Sequence, residues 1–210
     1  MFPFPFSFVA PTASGLADID NVYSMEFDGI NDYFDLGTDS SLDIFGGDFS
    51  VSMWFNHTNV SGNAVPLMQI NTFTEKMAIS LGFTANTGVG FAHWNGSAST
   101  WNYNAGSGLN DGNWHNIIAT RTGTTYKIYI DSVDTAYLTS AGYTYGSYNR
   151  IASGRWVPLY FNGKIDEVAL FNYTLDQDQV DEIYNATSTG KTADLSTMAT
   201  PPVAWYRMGD

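Results

Sequence analysis

Two short runs of alternating apolar residues, joined by a glycine-containing turn, constrain the fold of this chain more than any other feature. They lie within residues 113–131, whose sequence is NWHNIIATRTGTTYKIYID. The alternating residues are Ile117 and Ala119 before the turn at 121–125, and Tyr126, Ile128 and Ile130 after it. An apolar residue at every second position is typical of a β-strand with one buried face. The pattern therefore predicts a β-hairpin, and Trp114 is expected to close one end of the core.

The charge of the chain excludes one class of partner. Its 210 residues include 21 Asp and Glu but only 8 Lys and Arg, which gives a net charge of −13. Nucleic acids are bound through clustered lysines and arginines, so no nucleic acid is expected as a partner. No apolar run reaches the ~20 residues that a membrane helix needs, so no membrane insertion is expected either. Because the chain has no cysteine, its core is predicted to form without disulfides.

Residues 1–20 are predicted to form an extended arm and a linker. The arm carries four phenylalanines at alternating positions, Phe2, Phe4, Phe6 and Phe8. Pro3 and Pro5 between them exclude a helix and favour an extended chain. Two interpretations stay open: the rings cover their own domain, or they dock on a neighbouring protein subunit. The arm has no basic residue and is interrupted by proline, so it lacks the pattern of a secretory signal.

Most of the chain has the pattern of short strands separated by polar, glycine-containing turns. Besides the hairpin, strands are predicted within residues 22–37, 49–55, 67–70, 77–83, 89–94, 162–171 and 203–210. One helix is predicted at about 175–185. Thr174 and Gln177 have the spacing of a capping box, and Val180, Ile183 and Tyr184 form one apolar stripe after it.

Four sequence motifs in a fixed order resemble one known superfamily. They are YSMEFDGINDYFDLG at 23–37, FSVSMWFN at 49–56, DGNWHNIIATRTGTTYKIYIDS at 111–132 and FNGKIDEVALFNYTLDQDQV at 161–180. Over residues 21–186 the chain resembles the laminin-G-like branch of the concanavalin A-like lectin/glucanase superfamily, in its bacterial and phage form. The resemblance implies an all-β fold, an antiparallel β-sandwich of the jelly-roll type with one short helix. Residues 187–210 are then a linker and a C-terminal strand, which either completes this sandwich or begins another module; completion is favoured.

A glycoside hydrolase is the first enzyme to consider, because the superfamily includes glucanases. Retaining glycosidases need two carboxyl groups about 5–5.5 Å apart. In the candidate strand, Lys164 stands where the glucanases carry their first acid, and strict alternation places Glu167 on the face opposite Asp166. The three histidines of the chain fit no catalytic motif. No catalytic residue is therefore predicted.

A calcium site is one interpretation of the acidic residues near the first turn. Ca²⁺ prefers six to eight oxygen ligands from carboxylates, amides, carbonyls and water. The candidate ligands are Asp28, Asn31, Asp32 and Asp35 at the turn and Asp166 on a later strand, which pairs with the first strand in the superfamily. Their spacing matches no EF-hand loop. The alternative is a solvated acidic turn, with Asp166 hydrogen-bonded to the backbone.

A glycan site is one interpretation of two groups of aromatic residues that have polar neighbours in the sequence. Sugars need aromatic faces to stack on and polar side chains for their hydroxyl groups. The densest set is Trp94, Asn95, Trp101, Asn102 and Tyr103, followed by Arg155 and Trp156. The alternative is that these rings cap the core or fill a subunit interface. Trp54 lies between Met53 and Phe55 in its strand. Its side chain is therefore predicted to point to the opposite face, which is the outer face of the sheet.

These observations predict a non-catalytic recognition or structural module. The first hypothesis is a phage virion-surface protein, a capsid decoration or tail protein that assembles with other subunits and binds host glycans. It is favoured by the arm and by the lack of an export pattern. The second hypothesis is a secreted or cell-surface Ca²⁺-dependent lectin, and a glycoside hydrolase is third. The expected location is the virion surface or, under the second hypothesis, the extracellular space.

Overall fold

The computed structural model folds the chain into two large antiparallel β-sheets and one small one. It describes residues 15–37, 39–58, 65–71, 76–81, 88–94, 99–139, 148–153, 159–185 and 190–209. The small sheet pairs β1 (Asp18–Asp20) with β14 (Lys191–Ala193), and the helix α1 spans Gln177–Asn185. Among these residues, no helix is long and apolar enough to cross a membrane.

The seven-stranded sheet contains the central hairpin. Its order is β11 (Val133–Thr139), β10 (Thr125–Ile130), β9 (Trp114–Thr122), β4 (Phe49–Asn56), β13 (Asn162–Phe171) and β15 (Ala204–Tyr206), with β2 (Met25–Asp28) also paired to β13. β2 pairs with the first half of β13 and β15 with its second half. β13 therefore has neighbours on both edges along almost its whole length.

The six-stranded sheet forms the second layer. Its order is β3 (Phe34–Asp35), β12 (Tyr148–Ile151), β5 (Val65–Asn71), β6 (Lys76–Leu81), β7 (Val89–Trp94) and β8 (Ser99–Ala105). Short 3₁₀ turns occupy Ser40–Leu42, Ile44–Gly46 and Leu195–Thr197. The predicted β-sandwich with one helix is confirmed.

The main core lies between the two large sheets. The inward-facing residues of the seven-stranded sheet meet residues of the second sheet, among them Val89 and Ile151. The predicted alternation of the hairpin is confirmed: Ile117, Ala119, Tyr126, Ile128 and Ile130 are all buried in this core. The turn is shorter than predicted, because the strands run to Thr122 and from Thr125 and leave two residues between them.

A second apolar layer covers the outer face of the seven-stranded sheet. Ile118 and Tyr129 from the hairpin pack there with Val180 and Ile183 of α1 and with Leu195. The prediction that the hairpin buries one face was wrong, since α1 and the segment after β14 cover its other face. Alternation of apolar residues in β9 is correspondingly weak, because Ile117 and Ile118 are both buried.

The helix begins at Gln177, and its capping box lies two residues after the predicted one. Asp176 and Gln179 form the box: each side chain accepts a hydrogen bond from the other residue's backbone N–H, at 2.9 and 3.1 Å. The predicted cap at Thr174 was wrong, because its hydroxyl donates instead to the carbonyl oxygen of Arg121 at 2.6 Å. The predicted end near Asn185 is confirmed.

The two ends of the described chain lie together. The stretches predicted as linkers supply β1 and β14, which pair from Asp18 opposite Ala193 to Asp20 opposite Lys191. The Asn21 N–H donates to the Gly190 carbonyl at 2.9 Å, and the Arg207 guanidinium donates to the Asp20 carbonyl. The segments 21–24 and 190–192 are thereby held next to each other above the seven-stranded sheet.

Candidate functional site

A cavity of about 400 Å³ lies on the outer face of the seven-stranded sheet, beside the region that α1 covers. Its residues come from three strands and from the two joined segments at the chain ends: Asn21, Val22, Tyr23, Ser24, Trp54, Trp114, Lys164, Asp166, Gly190, Lys191 and Thr192. The volume falls within the range of small-molecule sites in proteins. The cavity is the candidate functional site.

The strand register places four cavity side chains in two rows across β9, β4 and β13. In one row, Trp54 lies directly opposite Asp166. In the next row, Asn56 of β4 lies between Trp114 and Lys164. Side chains two residues apart on a strand share a face, so both rows point away from the main core, as Trp54 was predicted to do.

The two tryptophans are held in different ways. The Trp54 indole stacks on the Tyr184 ring of α1, with centroids 5.8 Å apart and an interplanar angle of 11°. Trp114 remains 40% exposed. The prediction that Trp114 closes the core was wrong, because it lies three residues from the inward-facing Ile117 and so points outward. Of the two indole rings in the cavity, Trp54 is fixed by stacking and Trp114 is accessible.

Asp166 lines the cavity although it is only 4% exposed. Its Oδ1 accepts a hydrogen bond from the Glu167 N–H at 2.8 Å. Among the described residues that line the cavity, Asp166 is the single carboxylic acid. A two-carboxylate hydrolytic mechanism requires a second one facing the same ligand.

Glu167 breaks the alternation of β13. It has a φ of +51° at a bulge, where the register with β4 shifts between Asp166 and Ala169. Glu167 therefore bonds on the outer side: Oε2 accepts from the Trp205 indole N–H at 2.6 Å, and Oε1 lies 3.3 Å from the Arg207 Nε. The prediction that it faces the opposite side from Asp166 was wrong, since a bulge adds one residue and shifts the pleat. Both oxygens of this second acid are bound within the protein.

Two ammonium groups reach the cavity. The Lys191 Nζ pairs with Asp20 at 2.7 Å, and this pairing raises the pKa of Lys191. The Lys164 side chain is exposed, and its ammonium group forms no hydrogen bond or ion pair with any residue that the structure describes. The cavity thus combines aromatic surface, hydroxyl and amide groups, the buried carboxyl group of Asp166 and the ammonium group of Lys164, which has no ion-pair partner among the described residues.

A histidine supports the strand end that carries Trp114. The His115 ring lies 2.8 Å from an Asp131 oxygen through Nδ1 and 3.2 Å from an Asp111 oxygen through Nε2. Burial opposes protonation, but hydrogen bonds and the charges of the two carboxylates outweigh it and raise the pKa of His115. Hydrogen bonds, chiefly from Asn113, lower the pKa of Asp111 to about 2. The pair of carboxylates therefore fixes this rim through His115.

His57 lies on the same rim and has the opposite tendency. It is buried, and desolvation together with the nearby charge of His115 lowers its pKa. Its ring packs at 5.9 Å from Phe55 and from Phe161. Burial therefore favours the neutral form of the His57 imidazole, whereas the two carboxylates favour the protonated form of His115.

The predicted glycan residues fall on the other sheet or outside the described residues. Trp94 ends β7, and Trp101, Asn102 and Tyr103 lie in the edge strand β8. Asn95, Arg155 and Trp156 lie outside the described residues, as do Phe2, Phe4, Phe6 and Phe8 of the arm. Their assignment to a glycan site or to subunit docking stays a prediction.

The predicted calcium ligands of the first turn lie apart from Asp166 in the structure. Asp28 lies opposite Asn162, four residues before Asp166 on β13, or about 13 Å along the strand. The carboxylates of Asp28 and Asp32 accept N–H groups of their own turn, and Asp35 accepts from Gly37 and pairs with Arg150 at 3.3 Å. The described residues contain no group of three or more His, Asp or Glu side chains placed to hold a metal. Asp166 therefore does not fit a shared site with the turn.

The sequence patterns do not predict the residues that enclose the cavity. Lys191 and Thr192 come from a segment predicted as a linker, and Tyr23 comes from the start of a predicted strand. The pairing of β1 with β14 brings these residues over the sheet. The outward direction of Trp114 follows from the sequence, because Trp114 lies three residues before the inward-facing Ile117 and successive side chains of a strand point to opposite faces. Lys164 was noticed only as a replacement for an acid.

Two stacked antiparallel sheets around an aromatic core, with a ligand-sized cavity outside one of them, define a concanavalin A-like β-sandwich. The family model described as the concanavalin A-like lectin/glucanases superfamily, laminin G type, matches residues 28–181. Because this match covers more than half of the sequence, the chain belongs to that superfamily. The predicted membership is confirmed. No curated protein sequence matches the chain.

Several solved structures are similar in fold. The CBM40 module of a Ruminococcus gnavus IT-sialidase has 12% identity and a TM-score of 0.62, covering 79% of this chain and 97% of that one; it has also been solved with α2,3- and α2,6-sialyllactose. Mouse laminin α1 LG4-5 has 14% identity and a TM-score of 0.57, covering 80% and 48%. A Trypanosoma rangeli sialidase has 13% identity and a TM-score of 0.58, covering 77% of this chain but only 27% of the sialidase. At these identities the likeness concerns the fold.

Proposed function

We propose that this protein is a non-catalytic glycan-recognition module and that sugars bind in the cavity on the outer face of the seven-stranded sheet. The observation that carries the proposal is the placement of the accessible Trp114 ring in one cavity with the buried Asp166 carboxyl. An indole supplies apolar surface for a sugar ring, and a few fixed polar groups supply orientation. The likeness to a sialidase CBM40 module supports the same function.

The carboxyl groups support recognition without hydrolysis. Asp166 is the single acid among the described cavity residues, and both oxygens of Glu167 bind Trp205 and Arg207. An acid and a nucleophile are both needed for glycoside cleavage. We therefore expect a binding protein that leaves its ligand intact, and chromatography of bound oligosaccharides after long incubation tests this expectation.

A glycan array followed by calorimetry tests the proposed function and its site. The full chain is expected to retain a subset of glycans, and Trp114→Ala is expected to weaken binding about tenfold or more through loss of stacking surface. Trp101→Ala serves as the matched control, because Trp101 belongs to the alternative aromatic set in β8. If Trp101→Ala abolishes binding while Trp114→Ala does not, the site lies at β8. If no glycan is retained, the proposed function is rejected.

Calcium dependence and the biological setting remain proposals of their own. Repeating the array with EDTA tests whether the acidic turn at residues 28–35 binds Ca²⁺ and whether glycan binding needs it. For the setting, we propose a phage virion-surface module that assembles with other subunits, supported by the four alternating phenylalanines of residues 2–8. Light scattering of the full chain and of a variant without residues 2–8 tests this assembly. A secreted lectin is the alternative, for which the same deletion leaves the mass per particle unchanged.

A further inference from the structure

Among the basic side chains that the structure describes, Lys164 differs from the others in its pairing. The chain has a large excess of acids, with 21 Asp and Glu against 8 Lys and Arg, so a basic side chain finds an acidic partner easily. Four bases of the described chain pair with carboxylates, in the pairs Lys127–Asp134, Arg150–Asp35, Lys191–Asp20 and Arg207–Glu167. The Arg121 guanidinium is buried and donates to the carbonyls of Phe45 and Gly123. Each of these cations therefore has a carboxylate or carbonyl partner within the protein.

Lys164 is different, although two acids lie near it in the sheet. Glu26 is its cross-strand neighbour on β2, and Asp166 lies two residues further along the same face. Lys164 nevertheless forms no ion pair with them or with any other described residue, and its side chain lines the cavity. An ammonium group that a ligand covers without pairing loses hydration and gains nothing in return.

Resting on the function proposed above, we propose that the cavity selects acidic sugars, whose carboxylate pairs with the Lys164 ammonium. The Cα atoms of Lys164 and Asp166 lie about 6–7 Å apart along the strand. A sugar ring over Trp114 can therefore direct its carboxylate to Lys164 and a hydroxyl group to Asp166, since a carboxylate accepts several hydrogen bonds. A neutral sugar in the same place covers Lys164 without compensating its charge.

The net charge limits which acidic glycans fit. At −13 the protein repels polyanions over distances comparable to the Debye length. A single carboxylate at Lys164 makes one short, charge-assisted contact that outweighs this weak repulsion. The ligand class is therefore a glycan with an isolated acidic residue, such as a uronic or sialic acid, and not a densely sulfated chain.

Matched sugars that differ in their acid test the proposal. The panel is methyl β-glucuronide against methyl β-glucoside, methyl galacturonide against methyl galactoside, and 3′-sialyllactose against lactose, titrated into the full chain by NMR. We expect at least one acid to bind about tenfold or more tighter than its neutral partner, because hydrogen bonds to charged groups are the stronger ones. Lys164→Met is expected to abolish that preference, and Lys164→Arg to keep most of it.

Lys127→Met is the control, because Lys127 lies on β10 and pairs with Asp134 outside the cavity. It is expected to leave all affinities unchanged. Equal or tighter binding of the neutral sugars, weakened by Trp114→Ala, overturns the acidic preference and leaves the proposed function standing. Acid binding that survives Lys164→Met also overturns it. Failure of the whole panel together with an empty glycan array overturns both proposals.

Discussion

At the scale of single residues, the outer face of β13 is held by a buried ion pair. Glu167 is only 3% exposed, and its carboxylate binds the Trp205 indole and the Arg207 guanidinium. Arg207 also donates to the Asp20 carbonyl. A buried acid of this kind is bound on both oxygens and is unsuited to catalysis, but its loss leaves the partners unsatisfied.

We expect Glu167→Gln to lower the free energy of unfolding by about 1–3 kcal/mol, because Arg207 loses its charged partner while the indole N–H keeps an acceptor. Urea unfolding followed by tryptophan fluorescence measures the change. Glu182→Gln on α1, which is only partly buried, is the matched control and is expected to change stability by less than about 0.5 kcal/mol. Equal effects of the two substitutions would show that the buried pair contributes nothing specific.

A glycine within β13 is the basis of a second prediction at the scale of residues. Gly163 has a φ of +149°, and an added Cβ atom there lies 2.3 Å from the Asn56 carbonyl oxygen and 2.8 Å from the Phe161 ring. Gly163→Ala is expected to destabilise the fold by more than about 3 kcal/mol, since backbone strain and a backbone clash combine. Gly47→Ala is the control, because no atom lies within 4 Å of its added Cβ. Thermal melts that coincide for both variants would refute the clash.

At the scale of elements, His115 links the loop before β9 to the turn after β10. Asp111 lies in that loop and Asp131 in that turn. The Asp131 carboxylate also accepts the Asn116 N–H at 2.9 Å, and the neighbouring Ser132 hydroxyl donates to Asp181 of α1. The rim of the cavity beside Trp114 is therefore connected to the helix through a few hydrogen bonds.

This arrangement predicts a pH dependence. The folded-state pKa of His115 is raised, so its stabilisation is complete below about pH 6.5 and is lost as the pH rises through the higher folded value. His115→Gln is expected to cost on the order of 1 kcal/mol more at pH 5.5 than at pH 9. Urea unfolding of both proteins between pH 5 and 9 measures this difference.

His57 provides the internal check of the same titration. Its pKa is lowered, so its contribution is present above about pH 6.5 and is lost as the pH falls, opposite in sign to that of His115. His57 is present both in the parent protein and in His115→Gln. Comparing the stabilities of these two proteins at each pH therefore removes most of the contribution of His57. A cost of His115→Gln that stays constant across the range would mean that the charge of His115 does not hold the rim. Below pH 3.8 a further loss is expected, because the pKa of Asp111 is about 2.

The elements also show what the sequence could predict. Alternation identified the inward residues of the hairpin and the outward direction of Trp54, because the side-chain period of a strand is a local property. The bulge at Glu167 was not predictable from alternation, because a bulge interrupts the period of two and the partners of Glu167, Trp205 and Arg207, lie 38 and 40 residues further along the chain. The helix cap moved from Thr174 to Asp176 because Thr174 found a partner in Arg121. Tertiary contacts therefore determine the surroundings of Glu167 and the position of the helix cap.

At the scale of the whole molecule, the cavity depends on how the chain ends meet. The residues of its floor belong to three strands, and its wall consists of segments 21–24 and 190–192. These segments are fixed by the pairing of β1 with β14 and by the bond from Arg207 to Asp20. A long-range pairing between the two ends of the described chain therefore completes the candidate site, which explains why the site residues were harder to predict than the fold.

The C-terminal strand makes the last prediction. Removing residues 203–210 deletes β15, the Trp205 partner of Glu167 and the buried Met208. We expect a loss of more than about 3 kcal/mol of stability, since two large side chains leave the core layers and each contributes about 1.5–3 kcal/mol. Circular dichroism melts measure the loss. Arg207→Gln is the milder companion: it keeps β15 but frees segment 21–24, so we expect weaker glycan binding with a smaller change in melting temperature. A truncated chain that melts like the full chain and binds the same glycans would show that residues 203–210 belong to another unit.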